Sequence, residues 1–149
     1  SYEKAVEVRN LGEEKEVVTQ NGSYTGKTVI LTGVADSGRK NRIWYKVPAI
    51  PSDCISILVI HNPDAILHIN NEDHVDFMLS GHFHAGQIKM PFKLEFLVLR
   101  ADQLPRQNVI EGVFEHKGTS LFITRGVGCN KLPLRLGAYP EVSVVEIFV

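Results

Sequence analysis

Apolar residues in this chain come in short runs rather than helical stripes, so the pattern predicts mostly strands. Residues 16–19 and 28–34 read as two strands joined across Asn21-Gly22, a pair suited to tight turns. A polar loop over 33–40 leads into 41–49, which predicts a short helix ended by Pro51. Residues 55–60, Ile-Ser-Ile-Leu-Val-Ile, are almost continuously apolar and predict a strand buried on both faces. Pro63 opens a predicted helix over 63–70 that turns Ile66 and Leu67 toward the sheet, and 77–80 predict the next strand. Strand, helix and strand then form one right-handed crossover. The pattern weakens over 89–108. Beyond it, 113–116 and 120–124 predict a hairpin around Lys117-Gly118, and 142–149 alternate imperfectly as a strand that closes the sheet.

Composition narrows the class. With 149 residues, 44% hydrophobic and 22% charged, the chain reads as a single globular region able to bury a core. A formal net charge of -1 argues against nucleic acid as a partner. No apolar run approaches the ~20 residues that cross a bilayer. Cys54 and Cys129 lie far apart with no metal-binding spacing, so both read as idle or buried thiols. Gly26-Lys27-Thr28 lacks the glycine a phosphate-binding loop needs at position 21, which is Asn, and it precedes a strand rather than a helix. Arg39, Lys40 and Arg42 read as a solvated face. His68, His74 and His116 read as surface or hydrogen-bonded histidines.

The strongest chemical signal is Ser80-Gly81-His82-Phe83-His84-Ala85-Gly86-Gln87. Two histidines at i and i+2 project to the same face of a strand, and here they stand where a strand ends between glycines. Ligands of layered α/β proteins are held beyond such strand ends, and imidazole is a common metal ligand. His82 and His84 are therefore candidate metal ligands.

Residues 81–87 resemble the Gly-His-x-His-Gly-Gly-Gln signature of the calcineurin-like metallophosphoesterases, with Phe83 where Thr is usual and Ala85 where a glycine is usual. His61-Asn62-Pro63-Asp64 after the strand at 57–60 resembles the His-Asn-Pro-Asp of that family's bacterial, broad-specificity phosphodiesterase branch. The stretch 121–128 resembles its next-to-last strand and loop, and Pro133-Leu134-Arg135-Leu136 with Pro140-Glu141 resembles the approach to its last strand. Together these similarities run from about residue 10 to 149.

The resemblance implies the C-terminal half of a four-layer α/β/β/α sandwich, mostly β, with a mixed sheet and few short helices. It implies a metal-dependent phosphoester hydrolase acting on a small-molecule phosphoester. His61 and His82 would ligate one of two divalent cations (Mn, Fe, Zn or Ni) and His84 the other. Such a pair ~3.5–4 Å apart orients a phosphoryl group and activates water. The family's Asp-x-His, Gly-Asp-x-x-Asp and Gly-Asn-His motifs do not occur in these residues. The bridging carboxylate and the general acid are thus expected from an N-terminal half, and this chain alone is expected to be nearly inactive. The alternative is a non-catalytic binding or structural module that pairs with that half or with itself. Location is expected to be cytoplasmic, or at a membrane through the N-terminal part.

Among secondary candidates, Phe83 is expected to face solvent or substrate. Asp64 is expected to cap its own helix, with orientation of a histidine as the less favoured role. Arg125 and Arg135 flank a glycine-containing loop and could meet a phosphate bidentately, with a structural role as the favoured reading. Asp76, roughly 20 Å from His82 at strand rise, is too remote to ligate the same ion.

Overall fold

In a computed structural model, the described residues are 6–10, 15–19, 28–34, 47, 49–99, 102–130 and 132–146. They form one seven-stranded mixed sheet in the order β2-β1-β3-β4-β5-β7-β6. The strands are β1 (Val6–Asn10), β2 (Lys15–Thr19), β3 (Val29–Val34), β4 (Ile55–Ile60), β5 (Phe77–Ser80), β6 (Gly112–His116) and β7 (Thr119–Ile123). The central strands β1, β3, β4, β5 and β7 run parallel, and β2 and β6 close the two edges antiparallel. A mostly-β fragment with a mixed sheet and a few short helices is what the sequence predicts.

Two strand expectations need correction. β2 and β3 are not hairpin partners, because β1 lies between them and pairs antiparallel with β2 and parallel with β3. Val-Glu-Val-Arg-Asn at 6–10 alternates only briefly, though with the strand period. Residues 142–146 carry no strand. Val142 and Val144 are 85% and 88% exposed, and the segment is held to the loop after β7 by polar contacts of Glu141 and Ser143 instead of pairing along an edge. Alternation can supply a face, but a strand also needs a neighbour to take its hydrogen bonds. The turn at Asn21-Gly22 and most of the helix expected over 41–49 lie outside the described residues.

The crossover between β4 and β5 is a short 3₁₀ helix, Pro63–His68. Asn62 caps it by accepting the Asp64 amide at 2.9 Å, and Pro63 occupies the first turn. Ile66 is fully buried against Leu58, Met78, Leu104, Leu121 and Ile123. The weakly patterned stretch after β5 holds a six-residue helix, α1 (Leu94–Leu99), and a 3₁₀ turn, Leu104–Gln107. The predicted hairpin forms as β6 and β7, turning through Lys117 and Gly118 at φ 49° and 83°.

Candidate metal centre

Parallel register decides which residues meet. Val59 of β4 stands opposite Leu79 of β5, and the Gly81 amide donates to the His61 carbonyl at 3.2 Å, extending the ladder past both strands. On the other side, the Thr124 amide donates to the Ser80 carbonyl at 2.9 Å, placing the loop after β7 beside the same edge. His61, His82, His84 and residues 125–128 therefore gather at the carboxyl ends of β4, β5 and β7, where parallel sheets hold their ligands.

The histidine loop turns in an uncommon backbone conformation. His82, His84, Ala85, Gly86 and Gln87 all have positive φ, from 49° to 86°. Only one of the five is glycine, so the loop holds local strain that its surroundings must offset. A Cβ on Gly86 would lie 2.9 Å from Oε1 of Glu95 and 3.2 Å from the Phe96 ring, so a side chain here would be crowded as well as strained in φ.

Phe83 supplies much of the compensation. It is completely buried and meets Phe96 edge-on at 6.2 Å between ring centres. The expectation that Phe83 faces solvent or substrate is therefore corrected. The positive φ at His82 turns the chain, so the large apolar ring drops into the core while the histidines on either side stay partly exposed.

His61 and His82 approach edge-to-face, with Nε2 of His61 3.1 Å from Nδ1 of His82. Metal–imidazole bonds are ~2.0–2.1 Å long, so two nitrogens at this separation suit two ligands of one cation. On the far side of the ring, Nε2 of His82 lies 3.5 Å from Oδ1 of Asp102.

The contacts around His84 hold its ring in place. Nδ1 is 2.9 Å from the Gly128 carbonyl and 2.9 Å from Nη2 of Arg135. That Nη2 also donates to the carbonyls of Gly128 and Arg125, which accounts for both of its hydrogens. Among the described residues no group of three His, Cys, Asp or Glu side chains converges on one ion position. The donor set thus fits two ligands of one ion, with His84 held apart by its own contacts.

Other candidates take structural positions. Asp64 is buried, and its carboxylate accepts the amides of Gln103 at 2.6 Å and Leu104 at 2.9 Å. It caps the 3₁₀ turn at Leu104 rather than its own helix, which Asn62 caps. Arg135 donates to the carbonyls of Gly128, Arg125 and Ala138, clamping the loop after β7. Arg125 pairs with Glu111 and Glu141. Asp76 accepts the Ser56 amide at 2.8 Å at the opposite end of the strands. His74 contacts Asp76, and His116 is half-buried on the edge strand β6, with Nε2 buried and without a hydrogen-bond partner.

Comparison with known proteins supplies the family. The chain is 37% identical over 92 residues to the uncharacterized metallophosphoesterase YkuE of Bacillus subtilis, covering 62% of this chain and 30% of YkuE. It is 30% identical over 100 residues to the phosphodiesterase YaeI of Escherichia coli, covering 67% of this chain and 35% of YaeI. The chain belongs to the metallophosphoesterase family. A longer match, 34% over 127 residues, joins this metallophosphoesterase chain to the uncharacterized protein YpbG of B. subtilis, covering 84% of the chain and 44% of YpbG. The chain thus spans less than half the length of these relatives. No protein-family model and no solved structure matches it.

Two residues of this metallophosphoesterase chain matter at the site but escaped the sequence reading. Asp102 sits in the weakly patterned stretch, where no spacing ties it to His82. Gln87 was noticed only as part of the signature. Its amide nitrogen donates toward the carbonyls of Asn130, Leu132 and Leu134, and its oxygen accepts the Asn130 amide at 2.7 Å. A lone glutamine after a glycine gives no sign of such a role. Among the described residues no helix is long and apolar enough to cross a membrane.

Proposed function

We propose that this chain supplies the histidine side of a divalent-metal centre in a phosphoester hydrolase of the phosphodiesterase type. The observation that carries the reading is the 3.1 Å approach of Nε2 of His61 to Nδ1 of His82 at the ends of adjacent parallel strands. A divalent cation at such a place polarises a phosphoryl oxygen and makes water a nucleophile at neutral pH. His61 and His82 hold one ion, and His84 offers Nε2 toward a second. Two cations that close repel strongly and need anionic ligands between them, which three neutral imidazoles do not provide. Those ligands and the general acid come from elsewhere in the whole protein, in line with the coverage of the longer relatives. Manganese, iron, zinc and nickel all suit a mixed imidazole–carboxylate set. The substrate is a small-molecule phosphoester.

Calorimetric titration of the purified chain with Mn²⁺ and Zn²⁺ tests the reading. Binding of one equivalent, lost in both His61→Ala and His82→Ala, is expected. No binding, or binding indifferent to both substitutions, overturns it. Turnover of a nitrophenyl phosphodiester by the pure chain should be negligible. Metal-dependent turnover abolished in His82→Ala would refute the claim that catalysis needs further ligands.

A second reading is favoured by one surface. Leu132, Leu134, Leu136, Tyr139, Val142 and Val144 are all more than half exposed along one stretch. Apolar surface of this kind suits association with another polypeptide segment or a second copy. Sedimentation that does not vary with concentration would exclude the second copy.

A further inference from the structure

The carboxylate beside His82 suggests a role that goes beyond the ligands themselves. We propose that Asp102 is the positioning residue of His82, and that Asp64 holds Asp102 in place through the backbone. The inference rests on the metal-centre reading and deepens it by naming what orients one ligand.

The geometry runs through four residues. Asp102 is 15% exposed at its side chain, and its Oδ1 faces Nε2 of His82 at 3.5 Å. Nδ1 on the other edge of the same ring faces His61. A carboxylate at Nε2 favours the tautomer with the proton on that nitrogen, which leaves the lone pair on Nδ1, the atom nearest His61. Metal-binding histidines are commonly fixed in this way, by a carboxylate on the nitrogen that does not bind the ion.

Asp102 needs an anchor, because it lies outside any strand or helix. The next two amides provide it: those of Gln103 and Leu104 both donate to the buried carboxylate of Asp64, while Leu104 itself is fully buried. Asp64 is in turn fixed by Pro63 and by the bond from its own amide to Asn62, directly after His61. The four residues His61-Asn62-Pro63-Asp64 thus act as one device. The first is a ligand, the second and third start a helix, and the fourth reaches across to set the carboxylate that orients the other ligand.

The test has a metal-free and a metal-bound arm. In the metal-free chain at pH 8, the ring Nε2–H of His82 should give a slowly exchanging signal in proton–nitrogen spectra. It should be lost in Asp102→Ala and exchange faster in Asp64→Asn, with circular dichroism unchanged in Asp102→Ala. In the second arm, Mn²⁺ affinity should fall by about 10- to 100-fold in Asp102→Ala. It should not change in Asp53→Ala, an exposed carboxylate at the end of β4 opposite to His61. A His82 signal indifferent to Asp102→Ala overturns the proposal. So does full Mn²⁺ affinity in that variant. If wild-type chain binds no Mn²⁺ at all, the metal-centre reading fails, and the metal-free arm alone still decides whether Asp102 orients His82.

Discussion

The two sides of the site are built differently. His61 and His82 follow directly from neighbouring parallel strands, over a core of Leu58, Met78, Phe83 and Phe96, so their separation is set by sheet register and packing. The loop after β7 faces them with almost no buried side chains: Val127, Leu132, Leu134 and Leu136 are all exposed. It is held by polar clamps, chiefly Gln87 and Arg135. Packing tolerates little displacement, whereas hydrogen bonds between partly exposed groups each contribute only about 1 kcal/mol net. The His61–His82 pair should therefore be preformed, and the His84 side should be the adjustable one.

Breaking the packed side should have the largest effect. Phe83→Ala removes a wholly buried ring beneath the strained loop and should lower unfolding free energy by about 3–5 kcal/mol in urea titration. A loss below about 1 kcal/mol would mean that packing does not hold the histidine loop. Gly86→Ala comes next. It forces a methyl to within 2.9 Å of Glu95 at a φ of +86°, with an expected loss of about 1–3 kcal/mol in the same titration.

The clamped side should respond locally. Gln87→Ala should accelerate hydrogen exchange at the Asn130 amide, which donates to its side chain, and lower stability by about 1–2 kcal/mol. Amides of β4 and β5 should keep their protection. Accelerated exchange spread evenly over both regions would erase the contrast between them.

The smallest effect concerns pH. The hydrogen bond from Ser143 holds the Glu141 carboxyl below its ordinary value, opposed by desolvation and aided by Arg125. A depressed carboxylate adds stability above its unfolded-state pKa, and that contribution is lost as pH falls through the folded one. Carbon-detected titration should show Glu141 protonating below the ordinary glutamate range in the wild type. In Ser143→Ala it should move back toward that range, with β4 and β5 unaffected.

Much of this was legible in the chain. Continuous apolar runs marked β4 and β5, and Lys117-Gly118 marked the β6–β7 turn, because those signals are local. The His-x-His pair with its glycine marked the candidate site. Phe83 was misread because strand periodicity was carried past the end of β5, where positive φ at His82 reverses the side on which the next residue falls. The closing strand at 142–149 failed, over its described part, because alternation says nothing about whether a partner edge is available.

By itself the sequence determined β3, β4, β5 and the β6–β7 hairpin and singled out the histidines as candidates, since each depends on near neighbours and backbone preference. Only the tertiary structure decided that β1 separates β2 from β3, that Asp64 caps a turn 40 residues away, and that Asp102 stands beside His82. Those are contacts between segments with no shared period or spacing. They exist because a buried carboxylate must find donors, and which donors it finds is settled by how the chain packs.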